Sequence, residues 1–345
     1  MLNNSHPSHR YLCLFEPPLE TVEGFTGPAA PRADPLLGQT INGLYRIRRL
    51  LGRGGMGNVY EAVELPSRQR VAVKVMSQEC AADTKAVDLF RREVEVTAGL
   101  ARHPNIIQAF DFGVTKNGQP FLVMELLHGE DLDNRLRRSR GLPAATVLRV
   151  IQQTAAALAA THAKGIIHQD LKPANIFLHQ ADGEADSVKV LDFGISKICS
   201  TGHPVTSLEP VMGTPHYMSP EQALGQFDSI DGRTDQWSLA CIAWEALSGR
   251  PPFLGSTIQS LLFQVVYESP STRVPSRISP GIEGVLLKAL SKRQEARFDS
   301  VLAFAEAVEE AMSPRARASI AIGKKAAPMC PTQAAPVVKN WAVCA

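Results

Sequence analysis

The sequence predicts an α+β fold in two unequal parts, a small strand-rich part followed by a larger, mostly helical one. Two observations carry this. Between Tyr45 and Leu127, β-branched or alternating segments recur with Gly or Pro between them. After Gly129 the apolar residues take up the spacing of long helices.

In the first part, "YRIRRLLG", "NVYEAVEL" and "RVAVKVM" read as three successive antiparallel strands. "DTKAVDLFRREVEVTAGLA" spaces Val87, Phe90 and Val94 as on one helix face, with Asp83 or Thr84 as its N-cap. "NIIQAFDFGV" and "QPFLVMELL" add two strands around the turn "TKNG". In the second part, "LPAATVLRVIQQTAAALAATHAKG" is a helix opening at Pro143 and stopping at Gly165. "TDQWSLACIAWEALSG" is a helix apolar on almost all sides, hence buried. Further helices are expected at 256–268, 280–292 and 299–312. The organised region is expected at 45–312, divided into 45–127 and 128–312. A flexible lead is expected at 1–44 and a disordered Ala/Pro-rich basic tail at 313–345.

With 36 Lys+Arg against 34 Asp+Glu, the net charge of +2 argues against a general nucleic-acid binder. The six cysteines, at 13, 80, 199, 241, 330 and 344, form no Cys-x-x-Cys pair, which favours idle thiols in a reducing compartment. No apolar run is long enough for a membrane span, and "YLCLF" lacks the basic lead of a secretory signal. A cytoplasmic protein is expected.

"LGRGGMGNVY" places Gly52, Gly54 and Gly57 so that backbone N–H groups can approach phosphate oxygens. A dinucleotide-binding loop has the same spacing but opens a helix. Here the glycines lie between two strands, as in a hairpin flap. In "VAVKV", Lys74 has apolar neighbours on its strand and needs a negative partner, which Glu93 on the following helix could supply. "IIHQDLKPANIFL" gathers Asp170, Lys172 and Asn175 within six residues: a proton acceptor, a cation for a moving phosphoryl group, and a ligand for magnesium.

Asp-Phe-Gly, a metal-binding signature of phosphoryl-transfer enzymes, occurs twice. Asp192 in "VKVLDFGIS" follows the base-bearing loop and can converge with Asn175. Asp111 in "QAFDFGV" lies among hairpin strands, so Asp111-Phe112-Gly113 is expected to be structural.

In this order the motifs resemble a bacterial eukaryotic-like (Hanks-type) serine/threonine protein kinase, over roughly Tyr45 to Met312. The motifs are the glycine loop, "VAVKV", Glu93, "VMELLHGEDL", "HQDLKPAN", "LDFG", "GTPHYMSPE", "TDQWSL" and "EARFDS". The resemblance implies a bilobal protein kinase fold: an antiparallel-sheet N-lobe with one main helix, a larger helical C-lobe, and ATP with Mg2+ in the cleft. It implies protein substrates phosphorylated on Ser or Thr, with no nucleic acid and no membrane span. Residues Gly52, Arg53, Gly54, Gly55, Met56, Gly57, Asn58 and Val59 would cover the nucleotide. Leu51, Val59 and Ala72 would lie over the adenine, Phe177 beneath it, and Met124 would be the gatekeeper. Glu125 and Leu127 would offer backbone hydrogen bonds to the base, and Asp131 would reach the ribose. Lys74, braced by Glu93, would hold the α- and β-phosphates. Asp170 would take the substrate proton, Lys172 would steady the γ-phosphate, and Asn175 and Asp192 would hold magnesium.

Scaffold roles are implied for Thr214, for Glu221 paired with Arg297, and for Asp235 beneath the catalytic loop. Thr201, Thr206, Ser207 and Thr214 are candidate autophosphorylation sites. Three departures stand out. Gln169 replaces the usual Arg before Asp170, so an ion pair to a phosphorylated activation segment is not available there. Ser219 replaces Ala before Pro220-Glu221, and Ala240 replaces a common Gly. Both are small enough to be tolerated. Two other readings use some of these residues. A pseudokinase serving as a binding module would find its only foothold in Gln169. A small-molecule kinase of related fold usually lacks the "GTPHYMSPE" segment.

Overall fold

The computed structural model describes residues 34–100, 103–180, 186–192, 215–270 and 280–313. The chain begins with β1 (Thr40–Ile41), β2 (Tyr45–Gly54), β3 (Gly57–Glu64) and β4 (Arg70–Met76). The helices α1 (Gln78–Ala81) and α2 (Thr84–Gly99) follow, then β5 (Ala109–Val114) and β6 (Pro120–Glu125). These strands form one antiparallel sheet in the order β1-β2-β3-β4-β6-β5. Alternation buries Tyr45 and Ile47 and leaves Arg46 and Arg48 in water. Asp83 accepts from the Lys85 N–H and so opens α2.

Glycines set two close approaches. At the tip of the β2–β3 hairpin, a Cβ on Gly57 would fall 2.1 Å from the Val75 carbonyl oxygen of β4. On β5, a Cβ on Gly113 would come within 2.9 Å of the Phe121 ring. The look-alike Asp111 accepts a 2.8 Å hydrogen bond from the Tyr45 hydroxyl. Asp111-Phe112-Gly113 is therefore an edge-strand segment shaped by packing.

Residues 34–44, expected to belong to a flexible lead, are part of this layer. Leu36 and Ile41 are buried with Ile47, Tyr60 and Phe121, β1 pairs with β2, and Asp34 accepts from the Tyr60 hydroxyl at 2.9 Å. Burial of Leu36 and Ile41, the β1–β2 pairing and the Asp34–Tyr60 hydrogen bond together oppose the entropy cost of ordering this stretch.

The second part starts with β7 (Gly129–Asp131), α3 (Leu132–Arg138) and α4 (Ala144–His162). It continues with β8 (Ile176–His179) and β9 (Ser187–Val190), then α5 (Pro220–Ala223) and α6 (Gly232–Ser248). It ends with α7 (Ile258–Tyr267), α8 (Pro280–Ala289) and α9 (Val301–Met312). The short sheet β7-β8-β9 was not expected, because strands of three or four residues carry almost no periodic signal. α6 is buried along nearly its whole length, with the Trp237 ring stacked on Phe253 at 5.8 Å, and it closes on Gly249 at φ 81°. α8 stops at Ala289, short of the expected 292. Lys292 lies beyond it and donates to the Gln264 and Val265 carbonyls of α7.

Among the described residues Cys80 and Cys241 are free, and burial pushes the Cys241 thiol well above its ordinary range. No described helix is long and apolar enough to cross a membrane.

Candidate active site

Strand β4, helix α2 and the second residue after β9 bring three side chains together. The Lys74 Nζ donates to Glu93 Oε1 at 2.8 Å and to Asp192 Oδ1 at 2.9 Å. Burial works against the charge on Lys74, but Asp192 and Glu93 together hold its ammonium above its ordinary range. Burial pushes the Glu93 carboxyl up to about 7 against the pull of Lys74. Burial also opposes ionisation of Asp192, yet Lys74 holds its carboxyl below the ordinary range. Asp192 has φ 37°, in the left-handed region, which for a non-glycine residue marks a position fixed by its surroundings. Phe193, Gly194 and Thr214 lie outside the described residues, as do Thr201, Thr206 and Ser207.

Beside this triad lies an apolar cluster of Ala72, Ile107 and Met124, with Leu51, Val59, Leu126, Leu127 and Leu191 packed against it. It unites five residues expected around an adenine with Ile107, Leu126 and Leu191, which sequence reasoning missed. Phe177, expected beneath the base, is buried on β8 and is not part of this cluster. The Glu125 carboxylate accepts from Lys189 Nζ and the Gln108 N–H, fixing the strand end. No described residue accepts the backbone N–H of Leu127, which leaves a donor beside the cluster.

The glycine loop spans the β2–β3 turn and is tied down from behind. Met56 O accepts from the Ser77 N–H at 2.9 Å, and Asn58 Nδ2 donates to the Tyr60 hydroxyl at 3.0 Å.

Asp131 departs from its expected place at the ribose. It is 1% exposed, and its two carboxylate oxygens accept from the Asn134 N–H and the Asn134 side chain, each at 2.7 Å. Its carboxylate caps α3.

Below the cleft, the segment between α4 and β8 is anchored from α6. Asp235, fully buried, accepts from the N–H groups of His168 and Gln169 at 2.8 Å each, and lies 2.7 Å from His162 Nε2. Lys172 Nζ donates to Asp170 Oδ2 at 2.9 Å. Asn175 Nδ2 donates to the Asp170 carbonyl at 2.8 Å, which turns its Oδ1 away as a free-standing acceptor. Asn175 O accepts from the Leu191 N–H, so the chain leading to Asp192 is stitched to the loop that carries Asp170.

An amide oxygen and a carboxylate are hard donors suited to magnesium, which keeps waters and phosphate oxygens as further ligands.

Arg297 fills a second buried site. Its guanidinium donates to Glu221 at 2.9 and 2.8 Å and to the carbonyls of Ser291, Lys292 and Arg233. Sequence reasoning missed Gln222, whose side chain reaches the Gln169 carbonyl; nothing local signals a contact between residues 53 apart.

A family model described as the protein kinase domain matches residues 45–310. The chain is 40% identical over 294 residues to serine/threonine-protein kinase Pkn1 of Myxococcus xanthus, covering 85% of this chain and 41% of Pkn1. It is 38% identical over 278 residues to serine/threonine-protein kinase PknA of Mycobacterium tuberculosis, covering 79% of this chain and 62% of PknA. The chain thus spans between about two fifths and three fifths of the length of these curated relatives. Among solved structures, the PknI kinase domain of Mycobacterium tuberculosis superposes with a TM-score of 0.60 at 32% identity, over 80% of this chain and 98% of that one.

Proposed function

The chain belongs to the protein kinase domain family, and from that premise we propose that it is a bacterial serine/threonine protein kinase. It transfers the γ-phosphoryl of ATP to Ser or Thr hydroxyls of protein substrates, itself included, as part of signalling. The observation that carries this reading is the Lys74 ammonium bound at once to Glu93 and Asp192, next to the loop bearing Asp170, Lys172 and Asn175.

In this reading the apolar cluster around Ala72 and Met124 receives the adenine, and the Leu127 N–H donates to its edge. The glycine loop closes over the phosphates, and Lys74 contacts the α- and β-phosphates while Glu93 keeps it aimed. Asn175 and Asp192 hold Mg2+, which when bound neutralises charge building on the phosphate oxygens. Asp170 orients the acceptor hydroxyl and takes its proton as the oxygen bonds to the γ-phosphorus and the bond to the ADP oxygen breaks. Lys172, 2.9 Å from Asp170, offers its charge to the moving phosphoryl group. The reaction runs in the cytoplasm, where ATP and magnesium are abundant.

The test is incubation of the purified chain with γ-labelled ATP and magnesium, followed by acid hydrolysis. Label recovered as phosphoserine and phosphothreonine supports the reading. No protein-bound label, or label on tyrosine alone, contradicts it.

A further inference from the structure

Gln169, the residue before Asp170, has φ 63°, and the Asp170 N–H donates back to the His168 carbonyl at 2.8 Å. A three-residue turn closed in this way around a positive φ is a strained arrangement for a residue with a side chain. It persists only if the surroundings hold it from several sides. Asp235 supplies one restraint, by accepting from the Gln169 N–H at 2.8 Å.

Gln222 on α5 supplies another, since its Nε2 donates to the Gln169 carbonyl at 2.8 Å. The peptide unit joining Gln169 to Asp170 is then held at both its carbonyl and its N–H. The orientation of the Gln222 amide is not arbitrary. Its Oε1 lies 3.1 Å from the Ser219 backbone nitrogen, which can only donate, so the NH2 group must face Gln169. Gln222 is itself only 7% exposed, and its neighbour Glu221 is locked by Arg297 and Thr234. The donor therefore projects from a fixed platform.

We propose that Gln222 is a positioning residue for the catalytic base: it fixes the plane of the Gln169–Asp170 peptide and so aims the Asp170 carboxylate. Ser219 belongs to the same device, because its N–H sets the amide's orientation and its side chain caps α5. This rests on the reading of Asp170 as the proton acceptor.

The test uses the full chain, labelled ATP and myelin basic protein as acceptor. Gln222→Met keeps the side-chain length and removes the donor. It should lower kcat about 10-fold, between the loss of one neutral hydrogen bond and a gross misplacement, with KM for ATP within about twofold. Gln222→Glu keeps the acceptor toward Ser219 but turns a carboxylate on the Gln169 carbonyl. Its deficit relative to wild type should be large near pH ~8 and shrink near pH ~6, where protonation restores an O–H donor, while the Gln222→Met deficit stays flat. In an Asp170→Asn background, Gln222→Met should cause little further loss.

Wild-type kcat in Gln222→Met beside a crippled Asp170→Asn would overturn the positioning role alone. So would a Gln222→Glu deficit that does not change with pH, or equal losses in both backgrounds. Wild-type turnover in Asp170→Asn would instead overturn the reading of the base, and the positioning role with it.

Discussion

The Lys74 ammonium lies 2.9 Å from Asp192 Oδ1, although 118 residues separate the two in the chain. That contact ties the strand sheet to the end of β9 and fixes one cation where phosphates would bind. Replacing Lys74 with Met should lower phosphoryl transfer by about 100-fold or more, the scale seen when one preorganised electrostatic donor is lost. Label transfer to myelin basic protein is the readout, and a loss under about 5-fold would contradict the role.

Glu93 should make stability depend on pH in a particular sense. Its carboxyl is raised from an ordinary 4.5 to about 7 by burial, so the folded chain holds this proton more tightly than the unfolded one. The associated stabilisation is fully present below about 4.5 and is lost as pH rises through about 7. Glu93→Gln should flatten the fall in Tm between those limits while reducing transfer, because Lys74 loses its charged brace. Calorimetry across that range checks this; an unchanged slope would contradict it.

The Glu221–Arg297 pair is a matter of stability. Both side chains are almost fully buried, at 4% and 0% exposure. Arg297→Ala leaves a buried carboxylate without its cation and should cost about 3–5 kcal/mol in denaturant unfolding. A cost below about 1 kcal/mol would show that the carboxylate finds water or another partner.

Gln169 cannot form an ion pair with a phosphorylated residue. Thr206→Ala combined with Ser207→Ala should therefore leave most of the transfer activity toward myelin basic protein. Complete loss of activity would contradict this.

Much of this organisation was legible because phosphoryl-transfer chemistry needs few residue types at fixed spacings. Asp170, Lys172 and Asn175 could be read from one hexapeptide. The two Asp-Phe-Gly segments could be told apart by their neighbours, and Asp111 indeed serves Tyr45 on an edge strand. Asp131 was misplaced because a carboxylate before a helix looks the same in sequence whether it caps the helix or faces a ligand; only its burial separates the two. Residues 34–44 carry their two core side chains, Leu36 and Ile41, without a period, so nothing in their pattern announced an added strand. Gln222 was illegible for another reason: its role depends on the meeting of two segments far apart in the chain.

The most direct test of the central claim is phosphoryl transfer by Asp170→Asn beside wild type, with labelled ATP, magnesium and myelin basic protein. The substitution preserves shape and removes the proton acceptor. The account predicts a folded variant that still binds ATP and transfers label at least about 100-fold more slowly. Transfer at the wild-type rate would contradict it.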